Sequence, residues 1–312
     1  MREGKPIVLV TGAGGFVGKH LVPLLEQEEW AVRRAVRNAS GQGDEILVGS
    51  LGPATEWQSA LADVEAVVHL AARVHHPGEE HAAALYHEVN TEGTLRLARC
   101  AAGANVQRFI FISTILVNGA CTDGRSPFRA DDQFAPRGVY GKSKADAETG
   151  LKKIAQNSSM KISVIRPPLV YGAGVGGNFK LLVRALKLGV PLPFGSIDNR
   201  RAFISVQNLI SFISNRLTEE ASPFAVYLIA DEEQVSTPNF VNRIAAAMNR
   251  NAHLFPLPVT LLEGAFRAIG QPELRNSLIG SLKIDVGSAL SSGWRPIFSM
   301  TEGLKMAVSA LS

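Results

Sequence analysis

The sequence predicts an α/β protein: a doubly wound, mostly parallel sheet with helices on both faces, followed by a smaller C-terminal α/β lobe. Three observations predict it. Strand-like and helix-like segments alternate from residue 6 to residue 166, the rhythm of βαβ units whose strands run parallel. A glycine-rich turn, Thr11-Gly-Ala-Gly-Gly-Phe-Val-Gly18, joins the first strand to the first helix. The chain has 312 residues, 46% apolar and 19% charged, which is globular composition at a length where one core usually gives way to two lobes. Two lobes imply a cleft.

Pro6 to Val10 is a short apolar strand, and Lys19 to Glu29 carries Leu21, Leu24 and Leu25 at helical spacing. A second strand, Ala31 to Val36, completes a first βαβ unit. Ala66-Val-Val-His-Leu70 reads as strand, Glu88 to Ala102 as helix and Arg108 to Ser113 as a buried strand. Tyr140 to Ile154 then reads as helix and Lys161 to Arg166 as strand. After Pro167-Pro168 the rhythm loosens. A turn-rich stretch, Gly172 to Gly177, precedes a helix at Asn178 to Leu188, a strand at Ala225 to Ala230, and helices at Pro238 to Asn249 and Leu257 to Ile269. The expected division is a dinucleotide-binding domain over 1–175 and a ligand lobe over 176–312, with a soft boundary, because Phe203 to Leu217 can return to the first domain.

Charge excludes little but points away from nucleic acid. The 32 Lys+Arg against 28 Asp+Glu leave a net charge of +4 with no basic run, a poor footprint for a polyanion. The small excess suits a phosphorylated small molecule or is plain surface charge. Cys100 and Cys121 have neither metal-ligand nor redox spacing. Met1 to Pro6 is too short and polar for a signal peptide, and no stretch reaches the roughly 18 apolar residues of a span. A cytoplasmic protein without a membrane partner is expected. His69, His75 and His76 cluster near a strand end, but no carboxylate or cysteine completes a ligand set, so no metal is expected.

Gly12, Gly15 and Gly18 punctuate the first strand–helix turn, where missing side chains let the backbone and the helix N-terminus approach a pyrophosphate. Alone, such a triplet is also an ordinary tight turn. NAD-preferring sites carry an acidic residue at the end of the second strand. Here that end reads Ala35-Val-Arg-Asn38. Arg37 can pair with a 2′-phosphate, which favours NADP(H) and leaves NAD(H) open; otherwise it is a solvated cation. Arg33 and Arg34 are helpers or strand-edge cations.

Tyr140 and Lys144 lie four residues apart and share a helix face. An ammonium so placed can lower the phenol pKa and hold a cofactor ribose, and the phenol can then exchange a proton with a substrate oxygen. Ser113 and Thr114 end a strand at the sheet edge where ligands collect. In this order, the Thr11–Gly18 turn, Leu70-Ala71-Ala72, Ser113-Thr114, Tyr140-x-x-x-Lys144 and Arg166-Pro167 resemble the extended short-chain dehydrogenase/reductases over nearly the whole chain. The chain is similar in particular to the nucleotide-sugar epimerases, dehydratases and reductases, the group of UDP-galactose 4-epimerase.

That resemblance implies a Rossmann-like first domain. It makes Thr114 the hydroxyl partner, with Ser113 the neighbouring candidate, Tyr140 the acid/base and Lys144 its electrostatic support. It assigns the cofactor to Gly12, Gly15, Phe16, Val17, Gly18, Arg37, Leu70, Ala71, Ala72, Asn90, Tyr140, Lys144 and Pro167. Thr114, Asn178, Phe194 and Arg201 would meet the nucleotide sugar: Asn178 and Arg201 its diphosphate, Phe194 its uracil. Two positions depart from the family pattern. Gly49-Ser50-Leu51 stands where Gly-Asp-Leu is common, and Val206-Gln-Asn208 where Val-x-Asp is common.

The segments Ile112-Ser-Thr-Ile-Leu-Val-Asn-Gly119 and Arg166-Pro-Pro-Leu-Val-Tyr-Gly172 are similar to bacterial reductases that make UDP-N-acetylquinovosamine or its 4-epimer for surface polysaccharide. The expected reaction is therefore NADPH-dependent reduction of the C4 ketone of a UDP-linked 4-keto-6-deoxy-N-acetylhexosamine. The alternatives are a UDP-hexose or UDP-N-acetylhexosamine 4-epimerase and, from another class, a non-catalytic NADP(H)-sensing regulator. By fold analogy a homodimer is expected.

Overall fold

The computed structural model describes residues 4–41, 43–74, 82–220, 222–268, 270 and 274–309. They form two compact, interleaved units. The first takes residues up to Asn118, Gln133–Arg166 and Ile210–Tyr227; the second takes Gly119–Asp132, Pro167–Leu209 and the chain from Leu228 onward. The chain passes between the units more than once, and Ile210–Tyr227, which includes the latter part of the Phe203–Leu217 segment, falls in the first.

The first unit is built on a seven-stranded sheet. β1 (Ile7–Thr11) runs into α1 (Phe16–Gln27), then β2 (Ala31–Val36), β3 (Asp44–Leu47) and β4 (Val64–His69). After β4 come α2 (Ala83–Tyr86), a π-helical turn (His87–Glu92) and α3 (Gly93–Gly103), followed by β5 (Arg108–Ile112), α4 (Gly138–Gln156) and β6 (Lys161–Arg166). The strand order is β3-β2-β1-β4-β5-β6-β9, with β9 at Phe224–Leu228. β1 pairs in parallel with both β2 and β4, and β4/β5 and β5/β6 are parallel as well. The predicted doubly wound sheet is thus observed.

The strands are apolar on both faces because helices cover both. Leu9, Val67, Phe109, Phe111, Ile162 and Val164 are fully buried against Leu97, Ala98 and Leu151 from α3 and α4. Chain direction across the sheet reverses between β1 and β4, since β2 lies on the far side of β1. In open α/β sheets this reversal leaves a crevice at the carboxyl ends of the two strands.

The second unit contains a two-stranded parallel pair, β7 (Leu169–Tyr171) with β8 (Phe203–Ser205). Around it are α5 (Gly177–Lys187), the start of α6 (Val206–Thr218), α7 (Thr237–Ala247), α8 (Val259–Ala268), α9 (Gly287–Ser291) and α10 (Met300–Ser309). The rest of α6 belongs to the first unit. An aromatic core holds this unit together: the Phe203 and Phe240 rings stack at 3.8 Å, and Tyr171 meets Phe240 edge-on. Ile269, the expected end of the last helix read from the sequence, lies outside the described residues.

Candidate active site

The site is assembled at the carboxyl edge of the sheet in the first unit. Gly12 leaves β1 with φ +71°, a left-handed conformation, and a Cβ there would stand 2.8 Å from the Ala71 nitrogen. Only glycine lets the β1 turn pack against the strand next door. Gly18, on the first turn of α1, is equally constrained, because a Cβ would run into the Gly12 and Ala13 carbonyl oxygens. Gly15 is the N-cap of α1 and donates to the Gly12 carbonyl at 2.9 Å. No side chain caps this helix and no acidic residue occupies its first turn. Above Gly14 a Cβ would meet nothing within 4 Å. Uncapped N–H groups, a positive helix end and open space beside Phe16 and Val17 fit a dinucleotide pyrophosphate.

One side-chain relay ties this turn to the next strand. Thr11 Oγ1 accepts from the Ala71 N–H at 3.2 Å and shares a 2.7 Å bond with His69 Nδ1; His69 Nε2 meets Thr94 Oγ1 at 2.9 Å. Burial, with the charge of Lys144 second, drives His69 down to about 3, so the ring is neutral. Both of its nitrogens are engaged within the protein. His75 and His76 lie outside the described residues, and among the described residues no three His, Cys, Asp or Glu side chains are grouped to hold a metal.

Leu70, Ala71 and Ala72 follow β4 as a half-buried segment. Asn90, fully buried in the π-helical turn, fixes its continuation: its Oδ1 accepts from the Arg73 N–H at 2.8 Å, and its Nδ2 donates to the Arg73 carbonyl at 2.9 Å and to Ser143 Oγ at 3.0 Å. With both amide donors occupied, Asn90 acts as a pin between this loop and α4.

α4 carries Tyr140 and Lys144, as the spacing predicts. The Lys144 ammonium is 1% exposed, donates to the Ile112 carbonyl at 2.8 Å, and sits 4.3 Å from the Phe111 ring centroid and 6.0 Å from that of Tyr140. Burial pushes Lys144 down to about 7, opposed by Glu148. The half-buried Tyr140 phenol is pushed up to about 12, by burial first and by Tyr86 second. The expected lowering of the phenol by Lys144 is thus not what the protein shows: burial dominates and keeps the phenol protonated near neutral pH.

The two hydroxyls after β5 separate. Ser113 is 3% exposed, and its Oγ donates to Glu148 Oε1 at 2.5 Å. Thr114 faces differently, capping the short helical turn at Ile115–Val117 by accepting from the Leu116 N–H at 3.3 Å. Sequence reasoning missed the reason for this split, a buried Glu148–Arg166 pair. Arg166 Nε lies 3.1 Å from both carboxylate oxygens, and Nη2 lies 2.6 Å from Oε2. The only signal for it was two charged residues in otherwise apolar helix and strand faces.

Arg37 is exposed directly after β2, and no carboxylate adjoins it at that strand end. Arg33 donates to the Ala60 and Ala62 carbonyls and Arg34 to Glu26, so the two proposed helpers are tied to the protein. In the second unit Pro167 is buried and Asn178 is exposed in the first turn of α5. Arg201 is 7% exposed; its Nη1 donates to the Asn276 carbonyl at 2.7 Å and the Gly280 carbonyl at 2.5 Å, and burial lowers it to about 10. Phe194 packs in the aromatic core of its unit, which corrects the expectation of a ring free to face a base. A polar cleft of about 540 Å³ in this unit, lined by Asp198, Arg200, Glu233, Gln234, Asn239 and Arg243 among others, contains none of the predicted residues.

A glycine turn at the sheet's reversal point, with a Tyr–Lys pair on α4, defines a dinucleotide-dependent enzyme class. The sequence model of the NAD dependent epimerase/dehydratase family matches residues 8–230, and the chain belongs to that family. It is 38% identical over 310 residues to a UDP-glucose 4-epimerase of Vibrio cholerae, covering 97% of this chain and 94% of that one. It is similar to the structure of MoeE5 in complex with UDP-glucose and NAD (TM-score 0.78, 26% identity, 97% of this chain and 98% of that one). RMD from Pseudomonas aeruginosa, complexed with NADPH, shares the fold (TM-score 0.74, 21% identity, 98% of each chain). The family resemblance drawn from the motifs is borne out, as is the assignment to an enzyme. No helix among the described residues is long and apolar enough to cross a membrane.

Proposed function

We propose that this enzyme reduces the C4 ketone of a UDP-linked 4-keto-6-deoxy-N-acetylhexosamine with NADPH, in the synthesis of a bacterial surface-polysaccharide sugar. The observation that carries reduction over epimerisation is the end of β2, where Arg37 is exposed and the strand-end residues Ala35-Val36-Arg37-Asn38 include no acidic side chain to hold an unphosphorylated ribose. An enzyme that exchanges NADPH at each turnover suits that end better than one that retains NAD.

In this reading the first unit holds the dinucleotide and the second the nucleotide sugar, with Asn178 and Arg201 toward the diphosphate. A nicotinamide dinucleotide bound at the glycine turn supplies the hydride. Tyr140, held protonated by burial, gives its proton to the oxygen that forms at C4. Thr114 polarises the same oxygen as a ketone, and Lys144 supplies the nearby positive charge. Donors fixed in place oppose developing charge without reorganising, which is where most of the rate is gained. A homodimer in the cytoplasm completes the reading; light scattering of the purified protein tests the first part.

The test offers NADPH with UDP-4-keto-6-deoxy-N-acetylglucosamine, and separately UDP-galactose without added cofactor. NADPH consumption on the ketosugar is expected. Interconversion of UDP-galactose and UDP-glucose, with no NADPH consumed, would establish instead the second reading, a 4-epimerase, which the 38% identical relative favours. Tyr140→Phe should bind the dinucleotide as the wild type does and lose about 10²–10⁴-fold in kcat. Wild-type turnover in that variant would remove Tyr140 from the mechanism, whereas dinucleotide binding without turnover of either sugar by the wild type would revive the non-catalytic sensor.

A further inference from the structure

The buried face of α4 carries two charged side chains one turn apart, Lys144 and Glu148, each 1% exposed. Both reach the end of β5. Lys144 Nζ donates to the Ile112 carbonyl at 2.8 Å, and Glu148 Oε1 accepts from Ser113 Oγ at 2.5 Å. The Ser113 N–H donates in turn to the Ile165 carbonyl of β6 at 2.7 Å. The next residue, Arg166, closes on the same carboxylate and also donates from Nη1 to Asn118 Oδ1 at 2.9 Å. One carboxylate therefore clamps together α4, β6 and the strand end that leads into Thr114.

We propose that Glu148 is a positioning residue: through Ser113 and Arg166 it fixes the end of β5, whose Ile112 carbonyl receives the Lys144 ammonium. The inference rests on the reading of Lys144 as the cation that meets the dinucleotide ribose. Among the described residues, the groups that face Lys144 are these. On its own helix it faces Glu148 and the neutral Tyr140; from β4 it faces the neutral His69; Arg166 on β6 stands behind Glu148; Tyr86 on α2 acts on Tyr140. Against burial, the carboxylate is the attractive influence on the ammonium. A lysine already drawn down to about 7 has no reserve, so weakening that influence neutralises it within the working range of pH.

The experiment measures NADPH and NADH affinity by fluorescence titration as a function of pH, which needs no sugar substrate. Wild-type affinity should fall as pH rises through the Lys144 titration, because the neutral amine loses its charge. Glu148→Gln alone leaves Arg166 buried without a partner and can prevent folding, so the double variant Glu148→Gln/Arg166→Met, which removes both charges, is the main probe. Its alkaline limb should move lower, by about one pH unit at most because the Arg166 cation leaves with the carboxylate, and a full unit is equivalent to about fivefold weaker binding at the pH of the wild-type midpoint. Glu148→Asp, which keeps the charge, should restore the limb toward the wild-type position. A folded double variant that binds with the wild-type pH midpoint would reduce Glu148 to a structural role while leaving the proposed function standing. Failure of the wild type to bind either dinucleotide would overturn both.

Discussion

Among the described residues each unit buries one carboxylate, and the two have opposite companions. In the first, Glu148 faces a guanidinium: Arg166 grips both of its oxygens, with Ser113 adding a third donor. In the second, Asp231 is met by neutral donors, among them the Tyr171 hydroxyl at 2.5 Å, Asn208 Nδ2 at 2.7 Å and the Ser205 N–H at 3.1 Å. Burial pushes the Asp231 carboxyl up while those bonds pull it down, and it pushes the Tyr171 phenol up as well. A charge matched by a charge depends on both members remaining charged. A charge solvated by dipoles depends on geometry, and tolerates its own neutralisation.

The largest effect should come from breaking the matched pair. Glu148→Gln leaves the 1% exposed Arg166 uncompensated and should lower unfolding stability by about 3–5 kcal/mol, read by urea denaturation near pH 7.5. A loss under about 1 kcal/mol would mean that the guanidinium finds another partner, and the contrast between the units would collapse.

A smaller effect, with a pH signature, should come from turning the dipolar site into a second like-charged one. Asn208 donates from Nδ2 to Asp231 and to the Phe298 carbonyl, and its Oδ1 accepts from the Ile297 and Phe298 N–H groups. This explains the departure from the family's aspartate here: Asp231 already supplies a carboxylate, and the position needs a donor toward it. Asn208→Asp should cost about 2 kcal/mol at pH 8 through two unsatisfied acceptors. The folded pair would bind more protons than the unfolded chain, so stability should recover as pH falls. A loss independent of pH between 5 and 8 would show that the shape of the amide, not its donor, is what matters.

What could be read from the sequence was what is local. The glycine turn, the Tyr140–Lys144 face and the strand rhythm lie within windows of a few residues, and the structure reproduces them. The helix read as Glu88 to Ala102 appears as a π turn and α3, with α2 before them, and the π turn carries Asn90, which bonds the Arg73 backbone. β7 and β8 have three residues each and gave no periodic signal. Which of Ser113 and Thr114 is tied down by a carboxylate depended on Glu148, 35 residues beyond Ser113. Phe194 failed as a ligand-facing ring for the same reason: its neighbours in the core come from distant helices. The direction of the Tyr140 shift was misread because spacing reports the nearby cation, whereas the dominant influence is burial.

The smallest effect is the most discriminating, because it asks the same question as Glu148→Gln and expects the opposite answer. Asp231→Asn replaces the buried carboxylate by an amide whose oxygen can still accept from Asn208 and Ser205. Its new N–H₂ group can donate to the Tyr171 oxygen, at the cost of the proton that the phenol now gives to Asp231. In the wild type the raised carboxyl means that the folded protein binds a proton more tightly than the unfolded chain. Its contribution to stability is therefore greatest below the ordinary carboxylate range and is lost as pH rises through the folded-state value. The amide removes that slope, and the net change at pH 8 should lie within about 1 kcal/mol of zero. Denaturation of the two proteins at pH 5 and pH 8 checks it. If Asp231→Asn destabilises as severely as Glu148→Gln at both values, then Asp231 is an essential anion whose partners act as more than dipoles, and the distinction between the two buried carboxylates fails.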